Sequence, residues 1–350
     1  MADNSTGNAA PEAEEKVEEI SLRRRFLNVR TLLSFVIAVA LLVIVLERLD
    51  IDFGSVWDVI TGCNLLFYVL AFASYYITFP LRAWRWQVLL HNVGFRKERG
   101  VDLPSFGGLT QIIFINWFAN CVLYARLGDV YRGYLLKENA GVSFSKTVGT
   151  VLAERVLDVI TIFLLLGVAV FGLLGSKGMV VVTAVLGAGV VMLVVIAIIL
   201  GVMGQFGSFV ERHLPERIKR VFTLFREGTL GSFERLPLLV SLSVLIWLFE
   251  AGRLFLVTQS LDFSIGLGLI LFVALANALL VAIPFTPGGL GVVEAGLVGL
   301  LTIAVARNDA LSIALVDRTI SFLSVIAIGL IVFAVWHFMQ AKRRRELGGA

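Results

Sequence analysis

Pro284-Phe-Thr-Pro-Gly-Gly-Leu-Gly-Val-Val-Glu294 lies between two strongly apolar stretches, Ile265–Ile283 and Leu297–Ala306. Two prolines, Pro284 and Pro287, and three glycines, Gly288, Gly289 and Gly291, fall within its first eight residues. Proline removes backbone donors and glycine admits positive φ, so no helix runs through. In a bilayer, non-helical backbone is tolerated only where protein buries it or where it lines a watery cavity. Glu294 follows near the start of the next helix, where a carboxylate meets the positive end of the helix dipole. The segment reads either as a tight turn between two membrane helices or as the break of a helix lining a polar centre. The rest of the chain bears on that choice.

The surrounding composition is that of a polytopic α-helical membrane protein. Of 350 residues, 58% are hydrophobic, against roughly 45–50% in soluble domains, and the mean hydropathy is +0.90. Two cysteines, Cys63 and Cys121, form no disulfide framework, and His91, His213 and His337 lack zinc-type spacing. No metal or cofactor is expected. The net charge of +4 comes from basic loops flanking spans, which speak to orientation and not to nucleic acid.

In chain order, residues 1–30 form an acidic then basic tail. Residues 31–340 form one membrane domain, and 341–350 a basic tail. The expected spans are Thr31–Leu46, Asn64–Pro80, Val148–Leu174, Met179–Gly204, Leu238–Leu261 and Ala310–Phe338, with Phe106–Tyr124 as a further apolar segment. Arg82-Ala-Trp-Arg-Trp86 reads as a basic-aromatic membrane interface, with Trp84 and Trp86 as anchors. Residues 1–30, 81–105, 207–237 and the C-terminus hold 5, 5, 6 and 4 Lys/Arg, whereas 47–64, 175–178, 259–266 and 306–309 hold 1, 1, 0 and 1. The first group is therefore expected in the cytoplasm, together with both termini, in a cell (plasma) membrane protein. Loops 81–105 and 207–237 share a side only if Phe106–Tyr124 enters and returns. Ile265–Ala306 must likewise return, as a hairpin or as two full crossings. Six to eight transmembrane helices, some re-entrant or broken, follow from this count.

An internal repeat supports the second reading of the opening segment. Gly128 precedes Glu154-Arg155 by the same 27-residue spacing that separates Gly291 from Asp317-Arg318. Arg85 before Phe95 likewise matches Arg253 before Phe263. The halves, about 64–206 and 238–338, have opposite expected orientation, as in transporters built from inverted repeats with broken helices. Charge inside a bilayer is costly and marks function or specific pairing. Glu154 and Asp158 flank Arg155 and allow a local ion pair. Asp317 and Arg318 are adjacent and need partners elsewhere. These groups form structural pairs between helices, or Arg155 and Arg318 line a polar cavity and hold an anion through paired N–H donors.

Pro287-Gly-Gly-Leu-Gly-Val-Val-Glu294, together with Arg126-Leu-Gly-Asp129-x-x-Arg132 and Glu154-Arg155-x-x-Asp158, resembles the membrane domain of the lysylphosphatidylglycerol synthase family, a flippase-like, UPF0104-type group. The resemblance covers about residues 30–340. It implies a lipid flippase without the soluble aminoacyltransferase domain. The cargo would be an anionic phospholipid, aminoacyl- or glycosyl-linked, or a polyprenyl-phosphate lipid. The implied substrate contacts are Arg155, Arg318, Glu154, Asp158, Asp317, Glu294, Pro287, Gly288, Gly289, Gly291, Arg126, Asp129 and Arg132. No catalytic motif points to an enzyme. The alternative is a membrane subunit or scaffold of a lipid-modifying enzyme, such as a lipid-linked transferase. A separate synthase or glycosyltransferase is the expected protein partner.

Overall fold

Long apolar runs broken by glycine, proline and single charges leave the backbone one economical option in lipid, which is to satisfy its own hydrogen bonds as helices. The computed structural model is helical, without a strand among the described residues, which are 53–123, 125–171, 179–282 and 286–348. The expected tail 1–30, the first span Thr31–Leu46, and Pro284 with Phe285 lie outside them. The helices are α1 (Phe53–Thr61), α2 (Leu65–Asn92), α3 (Phe106–Val122), α4 (Leu127–Ala140), α5 (Phe144–Phe171), α6 (Met179–Gln205) and α7 (Gly207–His213). They continue as α8 (Glu216–Leu230), α9 (Leu236–Ser260), α10 (Leu267–Ala282), α11 (Val292–Leu301), α12 (Arg307–Arg318) and α13 (Ser324–Gly348). A π-helical turn, Thr319–Leu323, joins α12 to α13.

Among the described residues, four stretches are long and apolar enough to cross a bilayer: Leu65–Arg99, Val182–Gln205, Leu236–Ser260 and Arg307–Trp336. Shorter apolar helices, α3, α10 and α11, border two breaks. The chain is thus an all-α, multi-pass membrane protein. α6 exposes Val190, Val191, Val194, Val195 and Ile198, the surface expected of a lipid-facing helix.

α2 and α9 pack together most extensively. Around them, α3, α4 and α5 carry the first copy of the sequence repeat and α10 to α13 the second, with α3 packed on α13 and α5 on α10. The repeat extends to element boundaries: Phe144 and Arg307, which begin α5 and α12, are offset by the same 163 residues as Gly128 and Gly291. Asn92 and Ser260, which end α2 and α9, are offset by 168 like Arg85 and Arg253.

Two expectations need correction. The second span does not end at Pro80, because α2 runs through it to Asn92. Pro80 removes one helical hydrogen bond, but burial of Arg82, Arg85, Trp86, Leu89 and Leu90 beyond it holds the helix together. Consequently Arg82 and Arg85 are not loop charges; only Arg96, Lys97 and Arg99 of that group remain outside the helix. Trp86 is likewise no interface anchor. It is fully buried, donates from Nε1 to Thr150 Oγ1 at 3.2 Å, and lies beneath the Arg132 guanidinium. Trp84 is half exposed, as an anchor would be.

Candidate functional site

Both breaks are built from left-handed backbone. Ala125 and Arg126 have φ of 56° and 51° between α3 and α4, and Gly288, Gly289 and Gly291 have φ of 58°, 72° and 81° before α11. A methyl on Gly288 would stand 2.4 Å from the Phe322 ring and 3.3 Å from Cys121 Cα, so the two breaks touch there. Arg126 reinforces the contact by donating to Val281 O at 3.2 Å, near the end of α10.

Each break leads into a helix whose third residue is acidic, where a carboxylate suits the helix N-terminus. In α4 it is Asp129, which accepts from Asn120 Nδ2 at 3.1 Å, Arg126 Nε at 3.3 Å and Arg155 Nη2 at 3.3 Å. In α11 it is Glu294, which accepts from the Gly291 amide and from Arg318 Nε, both at 2.7 Å. Arg318 Nη2 also donates to Gly288 O at 2.9 Å. So the arginine of each acid-Arg pair reaches back to the helix that follows its own break. The adjacent acids turn the other way. Glu154 pairs with Arg85 at 3.1 Å and Arg132 at 2.9 Å, and Asp317 pairs with Arg253. The aligned pairs Glu154-Arg155 and Asp317-Arg318 therefore make corresponding ion pairs in both halves, with Asp129 and Glu294 matched by their place as third residue of the helix and not by the sequence register.

The local pair expected on α5 is therefore half correct. Arg155 bonds Asp158 at 3.3 Å, while Glu154 faces away toward Arg85 and Arg132. Asp158 also takes a 2.7 Å bond from Arg85. Sequence reasoning missed Arg82 and Glu250, which pair at 2.9 Å and link α2 to α9, with Arg253 3.4 Å from the same carboxylate.

These groups surround a cavity of about 400 Å³. Of the residues expected at the site, Arg126, Asp129, Arg155, Asp158, Gly288, Gly289 and Arg318 line it. Arg132, Glu154, Asp317, Glu294, Pro287 and Gly291 do not; the acids among them hold the lining arginines or their supports. Five lining arginines (Arg82, Arg126, Arg155, Arg253 and Arg318) face three lining carboxylates (Asp129, Asp158 and Glu250), and Glu294 and Asp317 behind the wall hold Arg318 and Arg253, so the lining arginines are matched by carboxylates. Val159, Ile162, Met192, Ile196 and Leu279 make the rest of the lining strongly apolar. Arg155 and Arg126 are the most open, with 27% and 21% of their side chains exposed, against 11% for Arg318. No His/Cys/Asp/Glu group among the described residues has metal-binding geometry.

Residues 31–329 match the family described as the lysylphosphatidylglycerol synthase TM region. The chain belongs to that family. Among its relatives is a UPF0104 membrane protein of Methanocaldococcus jannaschii, 31% identical over 223 residues, which are 62% of this chain and 94% of that one. A UPF0104 membrane protein of Methanothermobacter thermautotrophicus is 24% identical over 343 residues, 89% of this chain and 95% of that one. Glycosyltransferase AglD of Haloferax volcanii is 32% identical over 169 residues, 48% of this chain but 25% of that protein. Membership in this family fits a membrane function concerned with lipids.

Proposed function

We propose that the protein is a lipid flippase that carries an anionic phospholipid or polyprenyl-phosphate lipid between leaflets. The observation that carries this reading is the cavity, where two broken helices meet beside an arginine-rich lining that continues into apolar residues of α5, α6 and α10. An amphiphile needs such a surface, with ionic contacts for its phosphate and an apolar flank for its chains. Arg155 and Arg126 are the open phosphate donors, and Arg318 is the better fastened counterpart in the second half. Carboxylates at the site support arginines, and the amides of Gly128, Gly289 and Gly291 at the two breaks are already bonded to Asn120, Thr286 and Glu294, so the headgroup contacts fall to the arginines. We place the protein in the plasma membrane with both termini in the cytoplasm, on the excess of basic residues in 207–237 and at the two ends of the chain.

The purified chain in vesicles should move acyl-labelled phosphatidylglycerol between leaflets without altering it, and Arg155→Gln should abolish the movement. Chemical turnover of the lipid, or neither turnover nor movement, would sink the flippase reading. The similarity to a stretch of a glycosyltransferase supports a second reading, a membrane subunit or scaffold of a lipid-linked transferase. Turnover, or inactivity relieved by a copurifying synthase or glycosyltransferase, would favour it.

A further inference from the structure

The cavity's polar inventory bears on the headgroup. Each lining carboxylate already has two arginine partners. Asp129 has Arg126 and Arg155, Asp158 has Arg85 and Arg155, and Glu250 has Arg82 and Arg253. The aromatic faces are occupied as well. Arg82 lies over Trp117 and Trp247, Arg253 over Tyr75, and Arg318 over Phe322. Among the described residues, a substrate ammonium would find no lining carboxylate without arginine partners, and the lining rings Tyr75, Trp117, Trp247 and Phe322 each already carry a guanidinium over one face. One polar group is differently placed. Asn277 of α10 is 9% exposed, sits among Ala274, Ala278 and Leu279 in the lining, and its amide oxygen has no hydrogen-bond partner. A buried amide left without a partner is costly; the oxygen is closed to solvent in this structure, and a turn of the side chain would bring it to the cavity that Asn277 lines, where a ligand can bond it. An amide both donates and accepts, which matches a hydroxyl.

We infer that the site selects phosphate lipids whose headgroup is uncharged and hydroxyl-bearing, such as a glycerol or sugar phosphate, with Asn277 reading the hydroxyl and Arg126 and Arg155 holding the phosphate. This rests on the flippase reading and narrows it, excluding aminoacyl and other cationic headgroups. A site built to bond a hydroxyl discriminates strongly against analogues that lack it, because its own polar group is then stranded.

The test reconstitutes the full chain in vesicles with acyl-labelled phosphatidylglycerol, phosphatidic acid, phosphatidylethanolamine and lysyl-phosphatidylglycerol, and follows each between leaflets. Phosphatidylglycerol should move fastest and lysyl-phosphatidylglycerol slowest. Asn277→Leu, which suits the apolar wall and so should keep the fold, should slow phosphatidylglycerol about tenfold, the weight of one hydrogen bond, and leave phosphatidic acid unchanged. Asn277→Asp adds a carboxylate without a dedicated arginine and should raise the rate for lysyl-phosphatidylglycerol. Wild-type movement of lysyl-phosphatidylglycerol as fast as phosphatidylglycerol overturns the selectivity while leaving a flippase. Equal slowing of phosphatidylglycerol and phosphatidic acid by Asn277→Leu removes Asn277 from headgroup reading. Movement of none of the four lipids overturns the flippase reading and this inference together.

Discussion

The two halves of the membrane domain carry one ionic plan at different density. In each, a charged helix supplies an acid to the long central helix and an arginine to the helix after the break: Glu154 to Arg85 and Arg155 to Asp129 in the first, Asp317 to Arg253 and Arg318 to Glu294 in the second. The first half adds Arg126, Arg132 and Asp158, where the repeat register places Gly289, Ala295 and Ser321 in the second. The second half spends those positions on backbone geometry, with Gly289 at positive φ and Ser321 within the π turn. Their bond lengths differ in the same sense. Arg155 holds its carboxylates at 3.3 Å, while Arg318 holds Glu294 at 2.7 Å and Gly288 O at 2.9 Å. A doubled scaffold thus yields one half with exchangeable charges and one with a fastened turn, and π-helical turns in otherwise α-helical segments often sit at functional sites.

The largest expected effect breaks the plan where it is deepest. Arg85 is fully buried and holds both Glu154 and Asp158. Arg85→Gln leaves two carboxylates short of a partner, which should destabilise the protein by about 3–5 kcal/mol. Thermal unfolding in detergent should show a collapse in Tm or a failure to accumulate. Arg155→Gln, at a quarter-exposed side chain, should change Tm little and abolish transport. Equal Tm losses in the two variants would erase the proposed division between scaffold and exchangeable charge.

How much of this could be read in the chain follows from the physics of each signal. The break at Pro287–Gly291 was legible because proline and glycine act locally, and the acid-Arg pairs because buried charge is costly wherever it falls. The pairing partners were legible only through the repeat: Arg85 aligns with Arg253 and Glu154 with Asp317, and both aligned couples bond. Arg82, Arg85 and Trp86 misled, because a basic-aromatic cluster looks alike at an interface and in a buried ionic core. Their spacing, which puts them on one face of α2, and the matching Glu250 on α9 were the available clue. Asn277 carried no signal at all. A lone asparagine in an apolar run becomes informative only when its unpartnered oxygen is seen.

A smaller effect is expected at the turn in the second half. Gly288 has φ of 58° and its added methyl would stand 2.4 Å from the Phe322 ring, beside the Arg318 guanidinium. Gly288→Ala should cost about 1–2 kcal/mol for left-handed backbone alone, with more from displacing Phe322, and should slow transport. The first-half counterpart, Ala125, already tolerates φ of 56° with a side chain, so Ala125→Gly should leave stability within about 1 kcal/mol of wild type. If Gly288→Ala is as mild as Ala125→Gly, the second half is not the fastened one.

The smallest stability change, and the sharpest functional one, is expected at Asp129. It sits between the two most open arginines and is itself 14% exposed, so a phosphate entering the cavity must compete with it for Arg126 and Arg155. Asp129→Asn keeps an oxygen to accept from Asn120 but removes one charge from a helix start, about 0.3–1 kcal/mol, and the carboxylate of two part-exposed ion pairs, up to about 1 kcal/mol more. It also unmasks two guanidiniums. Binding of a water-soluble probe, dihexanoyl-phosphatidylglycerol, should therefore tighten, while transport slows because the departing phosphate has no carboxylate to displace it. In the second half the corresponding change, Glu294→Gln, should not tighten binding, since Arg318 stays fastened to Gly288 O. Titration calorimetry of both variants separates the halves directly. Weaker probe binding in Asp129→Asn would make Asp129 a support of the arginines, like Glu294, and the two halves would then differ in number of charges but not in role.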